Sequence, residues 1–238
     1  MRPWIVTRHE PIEELEENLW AVNGEVPGFP VGSGMLRRMS IIKLGDGRLV
    51  FYNAIPLDDE ALEKVRAWGK PSILIAPIYF HTMDVHAFQE KLGLQTFITK
   101  TGLELLRPSV SNVLPLEDLP KDPTLRFEIL NGTKFGEPVF TVHSGRRASL
   151  LFCDAFQNNR PGFAMGGLMF RLMGFTSEKQ GKTPPFYKWR AASDKKAIQK
   201  DLLRLADTKG LARLVPSHGL IVSQDPAGVL RATANNYF

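Results

Sequence analysis

The stretch His81-Thr82-Met83-Asp84-Val85-His86 holds two of the chain's five histidines, with an aspartate between them. Imidazole nitrogens and carboxylate oxygens are the donors that zinc takes. Three more residues of these types, His143, Asp154 and His218, follow at or near the ends of apolar runs. Gathered by a fold, such groups bind a metal and activate water. Left apart, they serve as hydrogen-bonding side chains in packed loops. Spacing alone leaves both readings open.

The elements that must position them are legible in part. Residues 18–26 alternate apolar and polar side chains as a strand does. Residues 37–55 read as a hairpin about Gly45-Asp46-Gly47, whose residues tolerate positive φ. A helix follows, capped by Asp58 or Asp59, with Leu62, Val65 and Trp68 on its apolar face and Gly69 as its stop. Residues 71–80 contain the continuous apolar run Ile73-Leu74-Ile75, which suits a strand buried on both faces. His81 follows that strand, a helix is expected from about Asp84 to Leu92, and 94–100 reads as another strand.

Strands are further expected at 125–130, 137–144, 148–156 and 211–219, and an amphipathic helix at 193–210 with Ser193 as cap and Gly210 as stop. Strands alternating with helices of this length imply a layered α/β sheet. In open α/β sheets, sites form at the carboxyl ends of strands. His81, His143, Asp154 and His218 are each read at such an end.

The chain has 238 residues, 43% of them hydrophobic, as a globular protein does. No repeat or low-complexity linker divides it, so one domain, 1–238, is the simplest organisation. No apolar run is long enough for a membrane-spanning helix, and the first residues lack the apolar core of a signal peptide. The single cysteine, Cys153, excludes an internal disulfide and fits a reducing, cytoplasmic setting. The net charge is +5, with basic residues scattered along the chain. That balance favours anionic partners in general without naming nucleic acid.

The order and spacing of these residues resemble the metallo-β-lactamase superfamily. Its signature is H-x-H-x-D-H after a buried strand, then a lone histidine, an aspartate at a strand end, and a glycine-flanked histidine. His81 and His86 match the first and last positions of the motif. His143 matches the lone histidine, Asp154 in "LLFCDAF" the metal-bridging aspartate, and His218 in "VPSHG" the final histidine. The resemblance spans roughly residues 18–225. It is strongest to an uncharacterised family within the superfamily, carried by "RMSIIKLGDGRLVFYNAIPL" and "ILIAPIYFH". It implies a four-layer α/β/β/α sandwich in which these five residues converge as metal ligands.

Two motif positions depart from the signature: Met83 stands at its second histidine and Val85 at its aspartate. The resemblance leaves His81, His143 and Asp154 for one metal, and Asp154, His86 and His218 for the other. Three protein ligands and an open position make a catalytic zinc site, with Asp154 and His218 as its catalytic members. Two adjacent dications around one shared carboxylate lack the anionic charge to offset their repulsion. The expectation is therefore one zinc ion or none, in a metal-dependent hydrolase with a reduced centre. Asp84, one residue out of register, is the candidate substitute ligand, and restoring Met83→His with Val85→Asp is expected to raise the stoichiometry toward two. The alternative is a non-catalytic scaffold of the same fold that binds a small molecule or a protein partner. A nuclease-like reading rests only on the charge.

Other residues carry less. Cys153 is expected to be a buried small hydrophobe, and His9 a surface residue. Arg146 and Arg147 offer a hold for an anionic substrate group, or a solvated hairpin. Residues 155–192 form a lid or interface insertion in this reading, and within them "GGLMFRLMGF" (166–175) is expected to be helical, packed inward or forming a homodimer contact. The partner implied is a small-molecule substrate, with no membrane and no nucleic acid.

Overall fold

A computed structural model of the chain describes residues 3–28, 36–106, 110–159, 168, 171–172, 174 and 181–238. The chain groups into two compact units, one of residues 1–25 and 38–126, the other of residues 26–37 and 127–238.

The first unit is built on a seven-stranded sheet with its strands in sequence order: β1 (Glu13–Glu16), β2 (Leu19–Glu25), β3 (Leu36–Lys43), β4 (Arg48–Tyr52), β5 (Lys70–Ala76), β6 (Gln95–Ile98) and β7 (Val113–Pro115). The pairs β1–β2 and β3–β4 are antiparallel. The pairs β4–β5, β5–β6 and β6–β7 are parallel. The expected hairpin is β3–β4, in register at Ile42 and Val50, and its turn places Gly47 at φ +84°. Three helices, α1 (Asp59–Trp68), α2 (Val85–Leu92) and α3 (Lys100–Leu106), connect the parallel strands, as such pairing requires a crossover.

Asp58 caps α1 by accepting from Ala61 N at 2.8 Å, which satisfies a donor with no partner inside the helix. The core holds Met39, Ile41, Phe51, Leu74, Val85 and Phe88, all at 0% exposure. Burying each of the larger ones stabilises the unit by about 1.5–3 kcal/mol. β5 ends at Ala76 because Pro77 has no N–H for the ladder. The chain then turns in one 3-10 turn, Tyr79–His81, closed by His81 N on the Ile78 carbonyl at 2.9 Å. The strand expected over 71–80 is therefore shorter, and His81 lies in the turn beyond it.

The second unit carries a four-stranded sheet in the order β11 (Leu211–Pro216), β10 (Arg147–Phe152), β9 (Pro138–Ser144), β8 (Leu125–Ile129). β10 is antiparallel to β9 and parallel to β11. Its described helices include α4 (Pro185–Arg190), α5 (Lys195–Leu205) and α6 (Pro226–Tyr237). Ile198, Leu202 and Leu205 of α5 and Leu230 of α6 pack with Leu150, Phe152 and Leu214 of the sheet.

The cap of α5 is Asp194, accepting from Ala197 N at 3.1 Å. The expected cap, Ser193, instead donates its hydroxyl to the Gly132 carbonyl. The expected stop, Gly210, lies beyond the helix end, where its φ of +73° admits a close approach to the Arg146 carbonyl. Among the described residues, no helix is long and apolar enough to cross a membrane. Of the expected helix at 166–175, only Leu168, Arg171, Leu172 and Gly174 are described. The first three are helical, and the rest of that stretch lies outside the described residues.

Candidate metal centre

In the second unit, β10 and β11 run parallel, so their carboxyl ends deliver Asp154 and His218 to the same edge. The two loops are stitched by backbone bonds: Ser217 N to Phe152 O at 2.8 Å, Asn158 N to His218 O at 3.1 Å, and Leu220 N to Asn158 O at 3.0 Å. Gly219 makes this approach feasible. Its φ is +90°, and a Cβ there would lie 2.2 Å from the Asn158 carbonyl. The glycine of "VPSHG" is thus a steric requirement for placing His218.

The ring of His218 is fixed at Nδ1, which meets the Leu36 carbonyl at 2.8 Å. A carbonyl only accepts, so Nδ1 carries the proton and Nε2 presents its lone pair. Nε2 lies 3.5 Å from Asp154 Oδ1. That is too long for a good hydrogen bond. It is close to the separation of two ligand atoms on one tetrahedral zinc, which bond lengths of about 2.0–2.1 Å place about 3.3–3.4 Å apart.

Asp154 is held from several sides. Its Oδ1 accepts from Gln157 Nε2 at 2.9 Å, and Gln157 is oriented in turn by Asn159 Nδ2 on its Oε1 at 2.8 Å. The backbone N–H groups of Asp154 and Ala155 both donate to Glu137 Oε1 at 2.9 Å. Glu137 is buried, and burial, reinforced by the Asp154 carboxylate, pushes its pKa up to about 8 against the opposing pull of those N–H donors. Tyr187 lies in the same buried field. Its hydroxyl and Glu137 Oε2 interact electrostatically, yet neither completes a hydrogen bond of good geometry. Cys153 is fully buried, as expected, and burial pushes its thiol well above the usual range.

In the first unit, His81 is fixed in the same way by a different group. Its Nδ1 meets Asn53 Oδ1 at 3.0 Å. The orientation of that amide follows from its other end, because Asn53 Nδ2 donates to the Arg38 carbonyl at 3.0 Å. The amide oxygen therefore faces His81, and Nδ1 carries the proton.

The other expected residues are placed differently. His86 sits in the first turn of α2, its Nδ1 3.4 Å from Glu90 Oε2, an ion-pair distance to an imidazolium but without hydrogen-bond geometry. Asp84 is buried at the N-terminus of α2. Among the described residues, His81, Asp84 and His86 do not gather as a three-ligand group, and neither do His143, Asp154 and His218. His143 lies in β9 opposite Ala148, half-buried beside Thr141 on one face of the sheet.

Met83, which departs from the expected motif, is 38% exposed, whereas Val85, the other departure, is fully buried in the core of the first unit. His9 is not the surface residue expected: its side chain is only 6% exposed, and its Nε2 accepts from Asp58 N at 3.1 Å at the start of α1. The sequence reading missed the supporting groups Asn53, Glu137, Gln157 and the Leu36 carbonyl. The one signal available was a glutamate set directly against an apolar strand in "GEPVF".

No family model and no curated protein matches the sequence. Solved structures do match. The metallo-β-lactamase DIM-1, in a crystal exposed to ceftazidime, is 12% identical and superposes with a TM-score of 0.63 over 97% of this chain and 98% of its own. A metallo-β-lactamase from Hirschia baltica, 16% identical, gives 0.58 over 94% and 98%. A flavo di-iron protein mutant from Thermotoga maritima, 15% identical, gives 0.59 over 94% of this chain and 60% of its own. The chain has the metallo-β-lactamase fold, an α/β architecture of two sheets with helices.

Proposed function

We propose that the chain is a metal-dependent hydrolase of metallo-β-lactamase fold that holds at most one metal ion, with zinc the best fit. The observation that carries the reading is the His218–Asp154 pair. One imidazole nitrogen is tied to a carbonyl, and the other lies 3.5 Å from a carboxylate oxygen. His81 is the third ligand in this proposal, because its Nδ1 is anchored in the same way and it matches the first motif histidine. Two neutral imidazoles and one carboxylate form a donor set that suits zinc and leaves a position open.

A bound zinc would supply Lewis acidity and a water acidic enough to ionise near neutral pH. The chain's own residues do the positioning. Leu36 and Asn53 hold the two rings, and Gln157 aims the carboxylate. Burial and the Asp154 carboxylate push the Glu137 pKa up to about 8, which favours its neutral form next to Asp154.

Elemental analysis of protein purified without chelator tests the reading, together with zinc titration of the natural chain and His218→Ala. The expected result is one equivalent or less, lost in the variant. Two tightly held equivalents, or none with excess zinc at neutral pH, would overturn it.

A second reading, a non-catalytic scaffold, draws on Val85. Val85, matched by resemblance to a ligand position, is a core residue, which supports a reading in which that part of the stretch serves packing. Zinc binding without hydrolysis of any ester, amide, thioester or phosphodiester panel would favour it.

A further inference from the structure

The second unit carries an exposed face that the metal chemistry does not use. On α4, Phe186 is 49% and Trp189 74% exposed, while Tyr187 between them is buried. Phe186 and Trp189 are three positions apart and so share a side of the helix. The Arg190 guanidinium lies 5.8 Å and 5.7 Å from their ring centres. Gly174 adjoins the start of this helix, since a Cβ on it would lie 2.9 Å from the Pro185 ring and 3.8 Å from Lys182 Nζ. Earlier in the chain, Leu168 is 58% and Leu172 80% exposed.

Charge is concentrated in the same part of the chain. Residues 160–193 hold six basic residues, Arg160, Arg171, Lys179, Lys182, Lys188 and Arg190, and one acidic residue, Glu178. The remainder keeps 24 basic and 24 acidic residues of totals of 30 and 25. The whole net charge of +5 thus lies in this segment, and the basic residues are scattered only in the sense that the rest cancel.

We propose that this face of the second unit docks onto an anionic phospholipid surface. Exposed Trp, Phe and Leu beside Arg and Lys are the composition of a surface that seats its apolar side chains at the headgroup boundary and its cations among lipid phosphates. A second copy of this chain fits poorly, because a two-fold contact would set Lys188 and Arg190 against their own images. Nucleic acid would answer the charge but not Leu168 and Leu172, which have nothing apolar to meet on a phosphate backbone. The expectation of no membrane partner rested on the lack of a spanning segment, which interfacial docking does not need.

Co-sedimentation of the full chain with phosphatidylcholine vesicles, with and without about a third phosphatidylserine, tests the proposal. Binding is expected only with phosphatidylserine, falling as salt rises, and weaker by about tenfold or more in Phe186→Ser/Trp189→Ser. Circular dichroism checks the fold of that variant, and Leu172→Asp, at an 80% exposed position, serves as an independent second variant. Failure to sediment with anionic vesicles would overturn the proposal. So would binding that neither variant weakens, since charge alone would then act. Binding to an RNA oligonucleotide without vesicle binding would assign the face to nucleic acid, and a dimer in sedimentation velocity that Leu172→Asp dissociates would assign it to a second copy.

Discussion

In the first unit, His81 is held by one side chain, Asn53, whose amide is oriented by the Arg38 carbonyl. In the second, His218 is held by a backbone carbonyl, and the Asp154 it faces rests on Gln157, Asn159 and the buried Glu137. The residues around the two turns differ as well. Beside His81 stand an exposed methionine, Met83, and a core valine, Val85. Beside Asp154, the polar support is dense and mostly buried. Buried polar groups cost free energy unless they are bonded, so the second unit keeps a structure that packing alone would not favour. The first unit instead places Val85 in its core. That asymmetry supports the proposal of one metal rather than two.

The strongest way to break the comparison is Val85→Asp. If the valine truly serves packing, an aspartate there puts an unpaired charge into the core and should cost about 3–5 kcal/mol in denaturant unfolding. Met83→His, at a 38% exposed position, should be nearly neutral. The double variant, which the motif alone suggests would bind two metals, is then expected to lose stability before it gains a site. A double variant as stable as the natural chain that binds two zinc ions would show that Val85 still borders a metal site.

Next in size is the ligand set. Zinc affinity should fall by more than about a hundredfold in His218→Ala and in Asp154→Asn, judged against the 10–100-fold expected for a mere supporting group. His86→Ala and His143→Ala should change it by less than about threefold, within the scatter of indirect effects. Isothermal titration at neutral pH measures both. Equal losses in all four would restore the full superfamily arrangement and remove the asymmetry.

How much of this was legible follows from the range of the interactions. The β3–β4 hairpin, the Asp58 cap of α1, the buried strand β5 and helix α2 each carry a local pattern, and each stands close to where that pattern places it. β1 was not legible. Its sequence is Glu-Glu-Leu-Glu, and it is a strand only because its backbone pairs with β2 at the sheet edge. α6 begins at Asp225-Pro226 and is rich in Ala and Asn, with too few large apolar residues to show a helical period.

The metal-type residues were legible because their types are scarce. Their supports were not. Leu36 acts through its carbonyl on a residue 182 positions away, and Asn53 on one 28 positions away. Nothing local marks either residue for that role.

The buried glutamate gives a smaller effect with a definite sign. Glu137 titrates near 8 in the folded chain and near its ordinary value of 4.5 when unfolded. Between those values the native state holds a proton that the unfolded state has released. The unfolded state then binds fewer protons, so stability falls as pH rises through that window and is fully reduced above about 8. Glu137→Gln keeps an oxygen to accept the two N–H donors and cannot ionise. Its unfolding free energy, measured in chelator across that range, should lose this slope. An unchanged slope would mean that Glu137 is ionised in the fold, and the case for a single buried anion at Asp154 would fail.

The finest test separates the two ways of holding a histidine. The anchor of His218 is main chain and cannot be deleted by substitution, whereas the anchor of His81 can. Asn53 has φ +65°, so alanine there would add backbone strain to the loss of the bond, and glycine is the cleaner choice. Asn53→Gly should leave the fold intact and lower zinc affinity by about tenfold, the cost of freeing a ligand ring. Asn53→Asp keeps the acceptor at Nδ1 and should bind at least as well as the natural chain, because a carboxylate makes the imidazole a better donor. If glycine and aspartate weaken binding equally, the amide acts through Arg38 and the local backbone rather than through the ring. If neither changes it, His81 is not a ligand, and the metal rests on the second unit alone.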